Sequence, residues 1–236
     1  MGIEQKVAVI TGASQGIGAD LVKAYRDRNY RVVATSRSIK PSDDDAIVAV
    51  PGDIADRKTA ERAIAEGVTR FGRIDTLVNN AGIFIPKPFT QYTEADYEAY
   101  LGTNIAGFFH ITQLAIAEME KRGNGHIVQV TTSLVDNPIA GVPSVLASLT
   151  KGGLNAATKS LAIEYAKRGI RVNAIALGTI KTPMHPVETH AQLDALHPIG
   201  RMGEISDVVD AILYLESANF VTGEILHVDG GQSAGH

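Results

Sequence analysis

Short runs of small, apolar, mostly β-branched residues recur along this chain, and longer stretches with helical spacing separate most of them. "KVAVI" (6–10), "RVVAT" (31–35), "AIVAV" (46–50), "IDTLVNN" (74–80), "GHIVQVTT" (125–132), "IRVNAIA" (170–176) and "EILHVDGG" (224–231) read as strands. Residues 16–28, 56–72, 93–122, 144–168 and 204–217 read as helical, with a break expected near Gly102 and Asn104. A short strand that is apolar at nearly every position is covered on both faces, which means a parallel sheet rather than one with a wet side. Regular strand–helix alternation implies right-handed crossovers and a doubly wound α/β sheet of seven strands, flanked by helices on both faces. No repeat, low-complexity tract or linker interrupts the pattern, so residues 1–236 are expected to form one domain.

The irregular stretches are 38–45, 133–143 and 178–203. The last two follow strands, and loops at the carboxyl ends of parallel strands line the ligand crevice. Composition narrows the ligand. The net charge is −4 and no basic run occurs, so nucleic acid is not an expected partner. Without cysteine there is no disulfide, no thiolate metal site and no thiol nucleophile, and no metal is expected. The chain has no apolar stretch long enough for a membrane span. Glu4 and Lys6 lead straight into the first strand, unlike a signal peptide, and Lys6 stands where a myristoylated Gly2 would want a hydroxyl. A cytoplasmic protein is expected.

"TGASQGIG" (11–18) joins the first strand to the first helix. Glycines at 12, 16 and 18 allow a tight turn and close backbone approach, and the helix start offers free N–H groups to a pyrophosphate. The spacing differs from the common G-x-G-x-x-G, so its position at the first βα junction carries the assignment. The cofactor-binding candidates here are Gly12, Ser14, Gln15, Gly16, Ile17 and Gly18. The second strand ends "ATSRS": Ser36 stands where an acidic residue would select NAD, and Arg37 follows. A hydroxyl beside a guanidinium suits a 2′-phosphate, which favours NADP(H) over NAD(H). Asp53, with Ile54, follows the third strand and either reaches the adenine or caps the next helix.

Taken in order, these motifs resemble the short-chain dehydrogenase/reductase family of single-domain type. TGASQGIG, NNAG (79–82), Asn104, Ser133, Lys151 in "TKGGLNAATKSLA", "RVNAIALGTIKTPM" (171–184) and "TGEILHVDGG" (222–231) carry the resemblance across essentially the whole chain. It implies a Rossmann fold and hydride transfer between NADP(H) and a carbonyl or alcohol. By resemblance, Asn79, Ala81 and Gly82 lie near the adenine ribose, and Gly178, Ile180 and Thr182 near the nicotinamide carboxamide. The catalytic candidates are Asn104, Ser133 and Lys151, with Lys151 also holding the nicotinamide ribose. A homotetramer or a dimer is implied too.

The sequence departs from the family where it matters most. The family's proton-donating tyrosine sits four residues before the lysine, one helical turn away on the same face. Ala147 stands there, and Leu146 and Leu149 replace small polar neighbours. Ser133 precedes Ala147 by one residue more than usual, with Thr131 and Thr132 as polar neighbours, and Leu177 replaces a usual proline. Lys151 through a relayed water, held by Ser144 or Ser148, and His185 are alternative proton sources. The apolar residues Leu134, Val135, Ile139, Val142, Leu146 and Met184 suggest an apolar carbonyl or alcohol substrate. Three readings stand: an oxidoreductase with an altered proton donor, a non-catalytic NADP(H)-binding sensor or partner subunit, and a purely structural protein. The last leaves TGASQGIG unexplained. The stretch 182–203 is short for a family lid, so an open pocket is expected.

Overall fold

The computed structural model describes residues 5–235, so Gly2 and Glu4 lie outside the described residues. Seven parallel strands are ordered β3-β2-β1-β4-β5-β6-β7. They are β1 (Val7–Thr11), β2 (Arg31–Ser36), β3 (Ile47–Pro51), β4 (Thr76–Asn79), β5 (Gly125–Thr132), β6 (Ile170–Leu177) and β7 (Ile225–Val228). Strand order reverses between β1 and β4, and an open parallel sheet forms its ligand crevice at such a switch point.

Alternation along each strand sends side chains to two cores. Val7, Val9, Val33, Leu77, Ile127 and Val172 face one side. There they meet α2 (Arg57–Phe71), α4 (Gly107–Glu120) and α5 (Val145–Tyr165) through Ala60, Ala63, Ile64, Ile111, Ala115, Met119 and Ala162. Ala8, Ile10, Val32, Ala34, Val78, Val128 and Ile175 face the other. They pack on α1 (Gly16–Asp27) and α7 (Ile205–Ser217) through Leu21, Tyr25, Val208, Ile212 and Leu213. This two-sided burial is what the uninterrupted apolar strands require.

Helix ends follow local chemistry. Asp56 caps α2 by accepting from the Lys58 N–H, and Gly72 closes it with φ 80°. The cap is thus Asp56, not Asp53, whose carboxylate instead accepts from the Ala55 N–H at 2.9 Å. Thr93 and Asp96 form a capping box on α3 (Glu94–Tyr100). The break expected near Gly102 and Asn104 is a wide π turn, Leu101–Ala106, that carries the helix from α3 into α4 without interruption. Such turns often mark functional sites. The long connection after β6 holds a short helix, α6 (His190–Asp194).

Candidate active site

A cleft of about 890 Å³ opens at the carboxyl ends of the strands. Its first part is the turn after β1. Gly12 and Gly16 adopt positive φ of 66° and 55°. A Cβ on Gly18 would come within 2.2 Å of the Gly12 carbonyl oxygen, so helix and turn touch through bare backbone. Gly18 is therefore a packing residue behind the turn, while Gly12, Ser14, Gln15, Gly16 and Ile17 line the cleft. No side chain caps α1, which leaves its first N–H groups to a ligand.

Asn80, absent from the candidate set although it belongs to the NNAG motif, holds this turn. Its Nδ2 donates to the carbonyls of Thr11 at 2.9 Å and Gly12 at 3.2 Å. Asn79, expected at the ribose, instead turns into the interior and donates to Thr112 Oγ1 at 2.9 Å. Its neighbours Ala81 and Gly82 line the cleft.

At the end of β2, the cleft is walled by Thr35, Ser36, Arg37 and Ser38, with Asp53 and Ile54 across from β3. The hydroxyls of Thr35 and Ser36 are buried and have no hydrogen-bond partner. Arg37 is exposed. Two orphaned hydroxyls beside a guanidinium fit a sugar phosphate, and no carboxylate stands at Ser36 to repel one.

Further along, Lys151 on α5 is buried and donates from Nζ to the Val130 carbonyl at 2.6 Å. Burial pulls its pKa down to about 8. Nζ would lie 2.8 Å from a Cβ on Gly82, so the glycine makes room for the ammonium. Asn104, in the π turn, accepts from the Ile83 N–H at 3.1 Å and donates to Thr150 Oγ1 at 3.1 Å. It supports the loop beside Lys151 and is not on the cleft wall. Ser133 is also turned away: its hydroxyl is buried and donates to the Leu177 carbonyl at 3.1 Å. Thr131 and Thr132 line the cleft in its place.

Ala147 lines the cleft one turn before Lys151, packed in a small cluster with Tyr100 and Leu146. No tyrosine lines the cleft among the described residues. Tyr92 and Tyr100 spend their hydroxyls on the Ile85 backbone. Ser148 donates to the Leu134 carbonyl at 3.3 Å and lies 3.4 Å from Ser144, and neither serine, expected to hold a relaying water, lines the cleft. His185 does reach the cleft; its Nδ1 lies 2.9 Å from the Ile180 carbonyl, and burial lowers its pKa.

The far wall is apolar: Leu134, Ile139, Val142 and Met184 contribute, joined by Leu193 and Leu196. Val135 and Leu146, expected there, pack elsewhere, under Gly152 and against Tyr100. Gly178, Ile180 and Thr182 line the cleft after β6. A Cβ on Gly178 would meet His197 Nε2 at 2.8 Å, so the chain passes there only as glycine.

This glycine turn, switch-point cleft and buried lysine define a dinucleotide-dependent oxidoreductase of Rossmann type. A family model described as enoyl-(acyl carrier protein) reductase matches residues 12–233. The 3-oxoacyl-[acyl-carrier-protein] reductase FabG of Thermotoga maritima is 36% identical, covering 98% of this chain and 99% of that protein. The solved structure of ElxO with NADP bound aligns with a TM-score of 0.91 at 30% identity, covering 98% of this chain and 100% of that one. A 3-ketoacyl-(acyl-carrier-protein) reductase from Brucella melitensis complexed with NADH gives 0.90 at 30% identity, covering 98% and 99%. The chain belongs to the short-chain dehydrogenase/reductase family of NAD(P)-dependent oxidoreductases. Among the described residues, no helix is long and apolar enough to cross a membrane.

Proposed function

We propose that this protein is an NADP(H)-dependent oxidoreductase of a small or medium apolar carbonyl or alcohol, with Ala147 in the place of the family's proton-donating tyrosine. The observation that carries it is Lys151: a buried ammonium beside Gly82, lining the same cleft as the glycine turn and the orphaned hydroxyls of Thr35 and Ser36. These residues fit the cofactor. Gly12 to Ile17 would take the pyrophosphate, Ser36 and Arg37 the 2′-phosphate, and Lys151 the nicotinamide ribose. Bound NADP(H) would supply or accept hydride.

The protein's own part is the proton. Among the described residues, Arg37, Asp53, Lys151 and His185 are the ionisable side chains on the cleft wall, and the first two would lie at the adenosine end of a bound cofactor. Lys151 Nζ is the proton source for a carbonyl oxygen resting over Ala147, directly or through one water. A pKa near 8 suits that task, because an acid works best close to the operating pH. Thr132 lines the cleft where Ser133 does not, and its hydroxyl would exchange the Leu177 carbonyl, 3.3 Å away, for the substrate oxygen. The exposed Phe109, Leu149 and Ile163 on α4 and α5 support a homo-oligomer built on those helices, and the absence of cysteine suits the cytoplasm.

A second reading is a non-catalytic NADP(H)-binding homologue, a sensor or partner subunit. It is favoured by the inward hydroxyl of Ser133 and by the bond that ties Lys151 to Val130. A panel of ketones and aldehydes with NADPH decides. Oxidation of NADPH above background supports the enzyme; none, with NADPH bound, leaves the sensor. Where turnover is seen, Ala147→Tyr is expected to raise reductase activity by about tenfold or more. Unchanged or lower activity would show that another group has fully taken the role.

A further inference from the structure

Gln232 has no task in the reading above. It is 2% exposed, yet it forms part of the cleft wall. Its Oε1 is sealed from solvent and has no hydrogen-bond partner. Buried amides are normally paired, so an unpaired one at a ligand cleft needs an explanation.

The backbone around it is held firmly. The Asp229 carboxylate accepts from the Gly231 N–H at 3.0 Å and from the Ser233 N–H at 2.9 Å. Gly230 and Gly231 take positive φ of 60° and 89°, which bends the chain back after β7. A Cβ on Gly230 would meet Ile199 at 2.7 Å, so this turn lies tight against the connection after β6. From the other side, Asn137 Nδ2 donates to the Gln232 carbonyl at 2.6 Å. A residue fixed on both sides keeps its amide in the wall rather than swinging it into water. Leu134, Ile139, Val142, Leu193 and Leu196 share that wall and offer the amide nothing to bond.

We propose that Gln232 is a specificity-determining residue that receives a hydroxyl or carboxamide on the substrate, at a distance from the reacting carbonyl. The substrate class is then an apolar carbonyl compound with one hydrogen-bonding group remote from the carbonyl. A half-turn of the last side-chain torsion exchanges the amide's oxygen and nitrogen, so the amide can turn either Oε1 to accept from a hydroxyl or carboxamide N–H, or Nε2 to donate to their oxygens. A site that must leave a polar group unpaired rejects the analogue lacking the partner more strongly than an apolar pocket rejects a methylene.

The inference rests on the cleft being the substrate site, and its test reads binding rather than turnover. With NADP⁺ saturating, so that no hydride can be delivered, a medium-chain methyl ketone is compared with its terminal hydroxyl and terminal carboxamide analogues by ligand-observed NMR titration. The polar analogues are expected to bind about tenfold tighter to the wild type. In Gln232→Met that preference should vanish, while NADPH affinity is unchanged. If Gln232→Met does not fold, Gln232→Leu serves: it too should lose the preference for both polar analogues, and retention of the preference overturns the proposal. A wild type without preference, or a Met variant that retains it, overturns the proposal. Failure of NADPH itself to bind the wild type would instead sink the cofactor reading.

Discussion

The two ends of the sheet treat buried polar groups in opposite ways. At the amino ends, the Glu216 carboxylate receives Tyr25 at 3.3 Å, Tyr30 at 2.9 Å, Thr76 at 3.0 Å and His126 at 2.9 Å. Burial alone would raise its pKa, yet the bonds from His126, Tyr30 and Thr76 hold it down to about 2. Burial lowers the pKa of His126, so the ring is neutral; Asn173 sits 3.3 Å from its other nitrogen. Arg171 ties the same region to the end of α7 through the carbonyls of Leu215 and Glu216. At the carboxyl ends, Thr35, Ser36 and Gln232 have buried oxygens with no partner. A closed network fastens the fold, and open groups on a cleft wait for a ligand. Openness alone does not mark a site: Gln129 and Asn155 also hold unpaired atoms, away from the cleft wall. The two observations must coincide.

Substitutions at the two ends should therefore fail differently. The largest effect is expected from Lys151→Met, which should lower turnover by about 10² to 10⁴ with the denaturant midpoint kept or raised. A matching loss of stability would place Lys151 with the fastening groups instead. Next, Glu216→Leu strands several buried donors and should cost about 3 kcal/mol or more of stability, with NADPH affinity unchanged in the folded fraction. The same network sets an acid limit. Glu216 is held below its ordinary 4.5, so its contribution is complete above that pH and is lost as pH falls toward 2. His126, buried neutral with its pKa below 6.5, adds loss in the same direction once pH drops under that value. Unfolding titrations from neutral to acid pH should show both, and Glu216→Leu should flatten the lower part. The smallest effect is expected from Arg37→Ala, which should weaken NADPH about tenfold and leave NADH nearly unaffected. Equal weakening of both would remove the 2′-phosphate assignment.

Much of the fold was legible because its strands are apolar on both faces, a pattern few architectures share. The cleft's position followed from the loops after β5 and β6. The π turn was not legible as such, since a change of hydrogen-bond register leaves the hydrophobic spacing nearly intact; only a disturbance near Asn104 showed. Asn79 and Asn80 are chemically identical neighbours, and only the pleat decides which one faces the glycine turn. At the end of β5, Thr132 and Ser133 both donate to the Leu177 carbonyl, and only Thr132 reaches the cleft wall. Gln232 had one usable signal, its place just beyond the carboxyl end of the last strand.

Asn80 has a consequence for the timing of binding. Because it already bonds the carbonyls of Thr11 and Gly12, the anion cradle is assembled when the chain folds, before any nucleotide arrives. Little ordering remains to oppose association there, so encounter with the phosphate end is expected to be fast, with exchange slowed only at the N–H groups that bond the phosphates. Across the cleft, Thr182 and Pro183 of the segment after β6 lie within 4 Å of where a side chain on Gly16 would begin, so the cradle is walled on that side too. In kinetic terms, a phosphate arriving at this turn would meet a finished surface.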